Sequence, residues 1–93
     1  MTIRWTRRAL RNLTSIHAHI SKDSPDAAAR VAAAILGTMS QLENFPESGR
    51  MGRIEGTREL VVSGFPYVIA YRVADVVLIL AVIHSSRKWP EKL

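Results

Sequence analysis

The chain has 93 residues, of which 47% are hydrophobic and 23% charged, and it contains no cysteine. This composition is typical of one globular domain and excludes a disordered, collagenous or coiled-coil chain. Without cysteine there is neither a disulfide framework nor a thiolate metal site. The longest apolar run, residues 76–83, is shorter than the about 20 residues of a membrane span. We therefore expect a single cytoplasmic domain over residues 1–93, without membrane association.

The net charge is +5, and the cations are distributed unevenly along the chain. Residues 1–13 carry four arginines and no acid, residues 14–49 are net negative, and residues 50–93 are net positive. Ten of the thirteen cations are arginine, whose planar guanidinium fits phosphate and carboxylate groups better than an ammonium does. Such a surface indicates a nucleic acid or an acidic protein as partner. A basic domain whose charges are merely solvated is the alternative.

The N-terminal half predicts a short strand followed by two helices. Residues 2–6 alternate apolar and polar side chains, and apolar residues then recur every three or four positions over residues 7–21. A second helix should begin at Ser24 and Pro25, a capping residue followed by a proline at the first helical position. It should end near Asn44, since Pro46 cannot continue it. The short turn between the helices makes them an antiparallel hairpin.

The C-terminal half predicts a loop and three strands. Residues 47–56 contain three glycines and form the loop. Strand-like segments follow over residues 57–63 and 67–73, and the apolar run belongs to a last strand, residues 76–84, expected at the centre of the sheet. Short connections make these three strands antiparallel. The predicted fold class is α+β: an antiparallel sheet with an N-terminal strand, covered on one face by the helix hairpin.

The most distinctive polar cluster follows the last strand and comprises His84, Arg87, Lys88 and Trp89. Histidine exchanges protons near neutral pH, so His84 is a candidate general acid or base. Arg87 and Lys88 are candidates for binding phosphates, and Trp89 for stacking on a base. The alternatives are a His84 that only ends the strand with a hydrogen bond and a Trp89 that folds back over the core.

A second cluster lies in and after the glycine-rich loop. Arg50, Arg53 and Arg58 flank glycine turns, and arginine side chains together with exposed backbone N–H groups bind anions. A flexible connector is the alternative, and a P-loop is excluded because no helix follows the glycines. Arg72 lies within a predicted strand, where it should face solvent or pair with an acid such as Glu59. With three scattered histidines and no cysteine, we predict no metal site.

The order of elements and several local motifs resemble the RelE/ParE superfamily of toxins from type II toxin–antitoxin systems. The segments that carry the resemblance are residues 45–46, 49–50, 56–62, 66–73 and 77–84, followed by Arg87. The resemblance extends over nearly the whole chain. It implies a toxin that arrests growth, that needs no cofactor, and that is neutralised by a cognate antitoxin protein.

The superfamily has two kinds of target. RelE-like members cut mRNA in the ribosomal A site without a metal, whereas ParE-like members poison DNA gyrase. In a RelE-like chain, His84 and Arg87 would be the catalytic residues. The candidates for binding the target or the antitoxin are Arg50, Arg53, Arg58, Arg72, Lys88 and Trp89.

Departures from the RelE pattern favour gyrase as the target. RelE uses lysines on its second strand, an arginine on the third strand, and an arginine and a tyrosine near the C-terminus. Here residues 57–63 contain no lysine, Val68 lies nearest to the position of that arginine, and the C-terminal tail has no tyrosine. The long helix hairpin, residues 7–44, also resembles the ParE branch. We therefore predict a gyrase poison, with an mRNA endoribonuclease as the alternative and a non-toxic binding module as a third hypothesis.

Overall fold

A computed structural model describes all 93 residues, which form two helices and one five-stranded sheet. The elements in chain order are β1 (Ile3–Trp5), α1 (Arg7–Ser21), α2 (Pro25–Ser40), β2 (Arg50–Met51), β3 (Arg58–Val61), β4 (Tyr67–Val73) and β5 (Val77–His84). The predicted order of elements is confirmed, with β2 as an additional strand. Neither helix has the length and hydropathy that a membrane-spanning segment requires.

Both helices begin where the sequence predicted. The side-chain oxygen of Thr6 accepts a hydrogen bond from the backbone N–H of Ala9, and Ser24 caps α2 in the same way. These bonds satisfy N–H groups that have no partner inside the helix. α2 ends at Ser40, earlier than predicted, because Gln41–Glu43 tighten into a 3₁₀ turn before the chain leaves the helix axis.

The sheet has the strand order β1-β5-β4-β3-β2. Strands β2 to β5 are antiparallel to their neighbours, but β1 is parallel to β5, so the sheet is mixed rather than antiparallel throughout. Parallel neighbours require a long connection, which the chain from α1 to β4 supplies. β5 has a neighbour on each side and is largely buried, as its apolar run predicted, although β4 occupies the central position.

The strand β2 lies inside the segment predicted to be a loop. Arg50 and Met51 pair with Glu59 and Arg58 of β3. Both residues of β2 are exposed, so no alternation of apolar and polar side chains marks them as a strand. β3 itself is shorter than the predicted residues 57–63.

The helix hairpin covers one face of the sheet and encloses the main core. An apolar stripe that runs along α2 and into the 3₁₀ turn is entirely buried: Ala28, Val31, Ile35, Met39 and Leu42. It belongs to the same buried layer as the inward-facing strand residues, which include Tyr67, Ile69, Tyr71, Val77 and Ile79. Tyr67 and Tyr71 are therefore both core residues.

The C-terminal tail, residues 85–93, covers part of the opposite face. Ala70 and Ala81 are paired across β4 and β5 and form a second buried cluster with Ile83. Trp89 and Leu93 pack against this cluster. The small alanine side chains leave space for the large indole ring, so the tail is attached to the sheet by apolar contact.

Thr6 connects the first turn of α1 to β5. Its hydroxyl donates to the carbonyl of Ile79 at 2.9 Å, and its backbone N–H donates to the same oxygen at 3.0 Å. We expect Thr6→Val to lower the free energy of unfolding by about 1–2 kcal/mol, because the helix cap and the hydroxyl bond to β5 are lost together. Urea denaturation followed by circular dichroism measures this change.

The matched control is Thr14→Val, at an exposed position of α1. It should change the free energy of unfolding by less than about 0.5 kcal/mol, because no cap or long-range bond is removed. Equal destabilisation by the two substitutions would contradict the role assigned to Thr6.

Candidate functional site

A cleft of about 660 Å³ opens between α1, the end of β5 and the C-terminal tail. We call it the basic cleft and define it by five of its lining residues: Arg8, His19, His84, Arg87 and Lys88. Part of its lining is apolar and comes from Ile16, Val82 and Ile83. No aspartate or glutamate lines it.

The helical period explains why α1 forms one wall of the basic cleft. Arg8, Asn12, Ser15 and His19 are spaced by four, three and four residues and therefore lie on one face of the helix. β1 pairs only with residues 77–79 of β5, so the end of β5 has no neighbouring strand on this side. Asn12 fills part of the gap, since its side-chain oxygen accepts a hydrogen bond from the backbone N–H of Val82 at 3.1 Å.

Hydrogen bonds hold the C-terminal tail beside the cleft. Nη1 of Arg8 donates to the carbonyl of Lys92 at 2.9 Å, which connects α1 to the end of the tail. At the other end, the backbone N–H of Ser85 donates to the carbonyl of Pro66 at 2.8 Å. Arg87 and Lys88, which lie between these two contacts, therefore keep a defined position relative to α1.

His84 is the last residue of β5, and its ring orientation is determined by local contacts. Its Nδ1 accepts a hydrogen bond from the backbone N–H of Ser86 at 3.1 Å and lies 2.7 Å from the Ser86 hydroxyl. The ring meets Tyr67 edge to face, with the centroids 5.3 Å apart. Because a backbone N–H only donates, Nδ1 carries a lone pair, and the proton of the neutral imidazole is on Nε2. In this arrangement, Nε2 of His84 is a hydrogen-bond donor and not a base.

None of the cations of the basic cleft forms an ion pair within the protein. The two ion pairs of the structure both involve Glu59, which lies outside the cleft, so neither uses a cation that lines it. Arg8, Arg87 and Lys88 therefore create a positive field in a concave surface with an apolar floor. The arrangement is suited to binding an anion. No group of three or more acidic or imidazole side chains is placed to bind a metal ion.

The second predicted cluster, around the glycine-rich loop, is organised by an acid within the protein. Glu59 is only 3% exposed, and its carboxylate accepts hydrogen bonds from Arg50 Nη2 at 3.0 Å, from the Arg53 backbone at 2.8 Å and from Arg53 Nε at 3.2 Å. Burial by itself raises the pKa of Glu59, but the hydrogen bonds from Arg53 and Arg50 outweigh burial and hold this pKa below its usual value. Arg50 and Arg53 remain about half exposed.

The other two arginines of this region bind backbone carbonyls. Nη1 of Arg58 donates to the carbonyl of Gly49 at 2.9 Å, and Nη1 of Arg72 donates to the carbonyl of Gly56 at 3.0 Å. Of the two alternatives predicted for Arg72, pairing with an acid such as Glu59 is excluded, because Glu59 is already bound by two other arginines. The hydrogen bonds of Arg58 and Arg72 hold the loop against the sheet.

Gly49 lies against Tyr71, and only glycine fits there. Its backbone N–H donates to the Tyr71 hydroxyl at 2.8 Å, and a Cβ at this position would lie 2.6 Å from the same oxygen. Burial raises the pKa of Tyr71, although the Gly49 hydrogen bond opposes the shift. The glycine that looked like a flexible turn is thus a close contact that docks the loop on the core.

Trp89 connects the loop cluster to the C-terminal tail. The guanidinium of Arg53 lies over the indole ring, 3.8 Å from its centroid, and the ring packs on the alanine cluster of β4 and β5. The indole Nε1 is buried without a hydrogen-bond partner. This arrangement matches the predicted alternative of a tryptophan that folds back over the sheet, and its Arg53-facing side is occupied by the guanidinium.

The residues predicted from sequence therefore fall into two groups. His84, Arg87 and Lys88 line the basic cleft. The other predicted residues contact Glu59, the glycine-rich loop or Arg53: Arg50, Arg53, Arg58, Arg72 and Trp89. Arg8 and His19 also line the cleft and were not predicted. The sequence contained a pattern that could have indicated them, because the polar residues of α1 that line the cleft recur with the helical period.

Glu59 is expected to stabilise the fold in a pH-dependent way. A carboxyl whose pKa is lowered by folding contributes stability above its unfolded pKa of about 4.3, and the contribution is lost as the pH falls through the folded pKa. Glu59→Gln should therefore lower the free energy of unfolding at pH 7 by about 1–3 kcal/mol, because a buried amide replaces a charge-assisted acceptor. The difference from the wild type should narrow below about pH 4.

Urea denaturation at a series of pH values measures both effects. The control is Glu55→Gln in the same loop, where the carboxylate is exposed and the change should be within about 0.5 kcal/mol. A Glu59→Gln difference that is the same at pH 7 and pH 3.5, or that grows on acidification, would refute the assignment.

Comparison with known proteins gives a consistent result. Residues 3–89 match the family described as the ParE toxin of the type II toxin–antitoxin system parDE. The chain is 54% identical over 91 residues to the putative toxin Y4kP of Sinorhizobium fredii, an alignment that covers 98% of this chain and 95% of the relative. It is 44% identical over 84 residues to toxin RelE2 of Caulobacter vibrioides, covering 89% and 93% of the two chains.

A solved structure shares the fold. A chain of the chromosomal ParDE toxin–antitoxin system from P. aeruginosa superposes with a TM-score of 0.81 at 25% sequence identity, covering 90% of this chain and 95% of the other. The resemblance to the RelE/ParE superfamily inferred from sequence is thus confirmed. The match over nearly the whole length shows that the chain belongs to the ParE toxin family of type II toxin–antitoxin systems.

Proposed function

We propose that this toxin arrests growth by acting on DNA gyrase, that it does so without cutting RNA, and that a cognate antitoxin neutralises it. The match to the ParE family over residues 3–89 supports gyrase as the target, since poisoning of gyrase is what the ParE-like resemblance implies. The second support is the long helix hairpin, with helices of 15 and 16 residues, which resembles that branch. A target of this kind places the toxin in the cytoplasm.

The hydrogen bonding of His84 is the observation that favours gyrase over mRNA as the target. Cleavage of RNA by attack of its 2′-hydroxyl requires a base within reach of that hydroxyl. His84 is the predicted candidate, but its Nδ1 accepts from the Ser86 backbone, and its Nε2 carries the proton. β3 has no lysine that would replace it. A surface that binds its target without chemistry is therefore the better interpretation of the basic cleft.

The antitoxin is expected to bind exposed cations that lie outside the basic cleft. A segment that is disordered alone and acidic in composition would gain ion pairs with these cations and would become ordered on binding. Candidate contacts are the half-exposed Arg50 and Arg53.

Ribosome-dependent cleavage of mRNA is the second candidate function. One observation favours it: His84 and Arg87 line the same cleft, which also contains Arg8 and Lys88. A histidine among arginines is suited to phosphodiester chemistry if its ring turns to free a basic nitrogen. Rotation would cost both hydrogen bonds to Ser86.

Two assays on the purified toxin distinguish these candidates. We expect the toxin to inhibit supercoiling of relaxed plasmid by gyrase and to accumulate cleaved DNA, and we expect addition of the antitoxin to reverse both effects. Primer extension on mRNA bound to translating ribosomes should show no new ends. Ribosome-dependent ends with unaffected gyrase would overturn the proposal.

The His84→Ala variant tests whether His84 acts as the base in mRNA cleavage. If the toxin is a ribonuclease that uses His84 as a base, this substitution should reduce mRNA cleavage by about 10²–10⁴-fold. Cleavage that persists in the variant would exclude His84 as the base, and cleavage that is lost would support the second candidate.

A further inference from the structure

The charged groups of the basic cleft are all hydrogen-bond donors. Arg8, Arg87 and Lys88 only donate. Asn12 uses its side-chain oxygen on the Val82 backbone, which leaves its NH₂ group free. His84 uses Nδ1 on Ser86, which leaves Nε2–H as its free end. The remaining acceptors among the lining side chains are the hydroxyl groups of Ser15, Tyr67 and Ser86 and the ring of His19, and no carboxylate lines the cleft.

This excess of donors discriminates between possible occupants. A peptide backbone has one N–H donor for nearly every carbonyl acceptor. Its N–H groups would find few acceptors in the cleft, and a desolvated N–H without a partner costs free energy. A phosphodiester brings acceptor oxygens and a negative charge but no donor. Guanidinium groups bind such oxygens through charge-assisted hydrogen bonds, and the sugar rings of a nucleic acid tolerate the apolar floor of Ile16, Val82 and Ile83.

We propose that the basic cleft binds the sugar–phosphate backbone of DNA, so that the toxin contacts the DNA on which gyrase acts as well as the enzyme. This inference rests on the proposed function, because gyrase supplies the DNA. The contact is independent of base sequence, since donors to phosphate oxygens carry no sequence information. Arg87 and Lys88 of the tail are the principal phosphate contacts, Arg8 and Asn12 of α1 provide further donors, and His84 provides one at the end of β5.

Salt-dependent binding of the complete toxin to a short labelled duplex tests the proposal. We expect fluorescence anisotropy to show binding that weakens as the salt concentration rises, because phosphate contacts release counterions. The Arg87→Gln/Lys88→Gln variant should bind more weakly and should reduce the slope of log K against log salt by about 2, about one for each phosphate contact.

The matched control is Lys22→Gln/Arg30→Gln, which removes the same two charges from exposed positions of the helix hairpin. It should leave the slope unchanged, because neither residue lines the cleft. Equal losses in the two variants would mean that only net charge matters and would overturn the proposal, as would the absence of binding at low salt. Both variants are first checked for an unchanged circular dichroism spectrum and denaturation midpoint.

Two further probes test the identity of the occupant. A polyglutamate peptide of equal charge should compete poorly with the duplex, and single-stranded RNA of the same sequence should bind no more tightly than DNA. A peptide that displaces DNA at lower concentration would assign the cleft to an acidic protein, and tighter binding of RNA would assign it to RNA. Either result overturns the proposal.

The failure of this proposal can be distinguished from the failure of the proposed function. Inhibition of gyrase without DNA binding by the free toxin would leave gyrase as the target and refute the DNA contact. DNA binding that depends on Arg87 and Lys88, in a toxin that leaves gyrase unaffected, would support the contact and refute the target. The supercoiling assay and the anisotropy titration are therefore run on the same protein preparations.

Discussion

The pairing of β1 with β5 covers only three residues, and the geometry of the basic cleft depends on where it stops. β1 ends at Trp5, opposite Ile79, and the chain enters α1 immediately afterwards through the Thr6 cap. The end of β5 therefore continues without a strand beside it, and α1 crosses this open edge. Thr6 and Asn12 satisfy backbone groups of β5 that a longer β1 would have paired. With a longer first strand, α1 would be further from His84.

A buried carboxylate explains why arginines of the same chain differ in what they are free to bind. Glu59 is buried on β3, next to the edge strand β2. Its charge must be compensated, because an unpaired buried carboxylate is costly. Arg50 and Arg53 provide it and lose part of their freedom to bind an external anion. The cations of the basic cleft face no acid. The charges of the cleft cations are therefore not neutralised within the protein, whereas those of Arg50 and Arg53 are partly neutralised.

The two regions are mechanically connected through Arg53 and Trp89. Arg53 contacts the Glu59 carboxylate and also lies over the indole of Trp89, one residue after Lys88 in the tail. Because Trp89 is packed on the alanine cluster, the segment that carries Arg87 and Lys88 is attached to the sheet on one side and to α1 on the other. The tail therefore has a defined conformation, although its sequence is polar and basic. A binding surface that is already ordered loses less conformational entropy when it binds its target.

The sequence by itself determined the helices, the main strands, the core face of α2 and the superfamily, because these follow from local rules. Caps at Thr6 and Ser24, the apolar stripe of α2 and the apolar run of β5 each involve residues close together in the chain. It also indicated His84, Arg87 and Lys88 as one cluster, since they are neighbours in sequence. The short strand β2 escaped prediction because both of its residues are exposed.

Only the tertiary structure decided how these residues are used. The parallel pairing of β1, the contact of Asn12 with Val82 and the position of Arg53 over Trp89 join residues far apart in the chain. The state of His84 depends on the turn that brings the Ser86 N–H to Nδ1, although the two residues are almost adjacent. The partners of Glu59 depend on the register of β2 against β3. Such contacts depend on strand register and chain direction, and the side-chain pattern of a single segment contains neither.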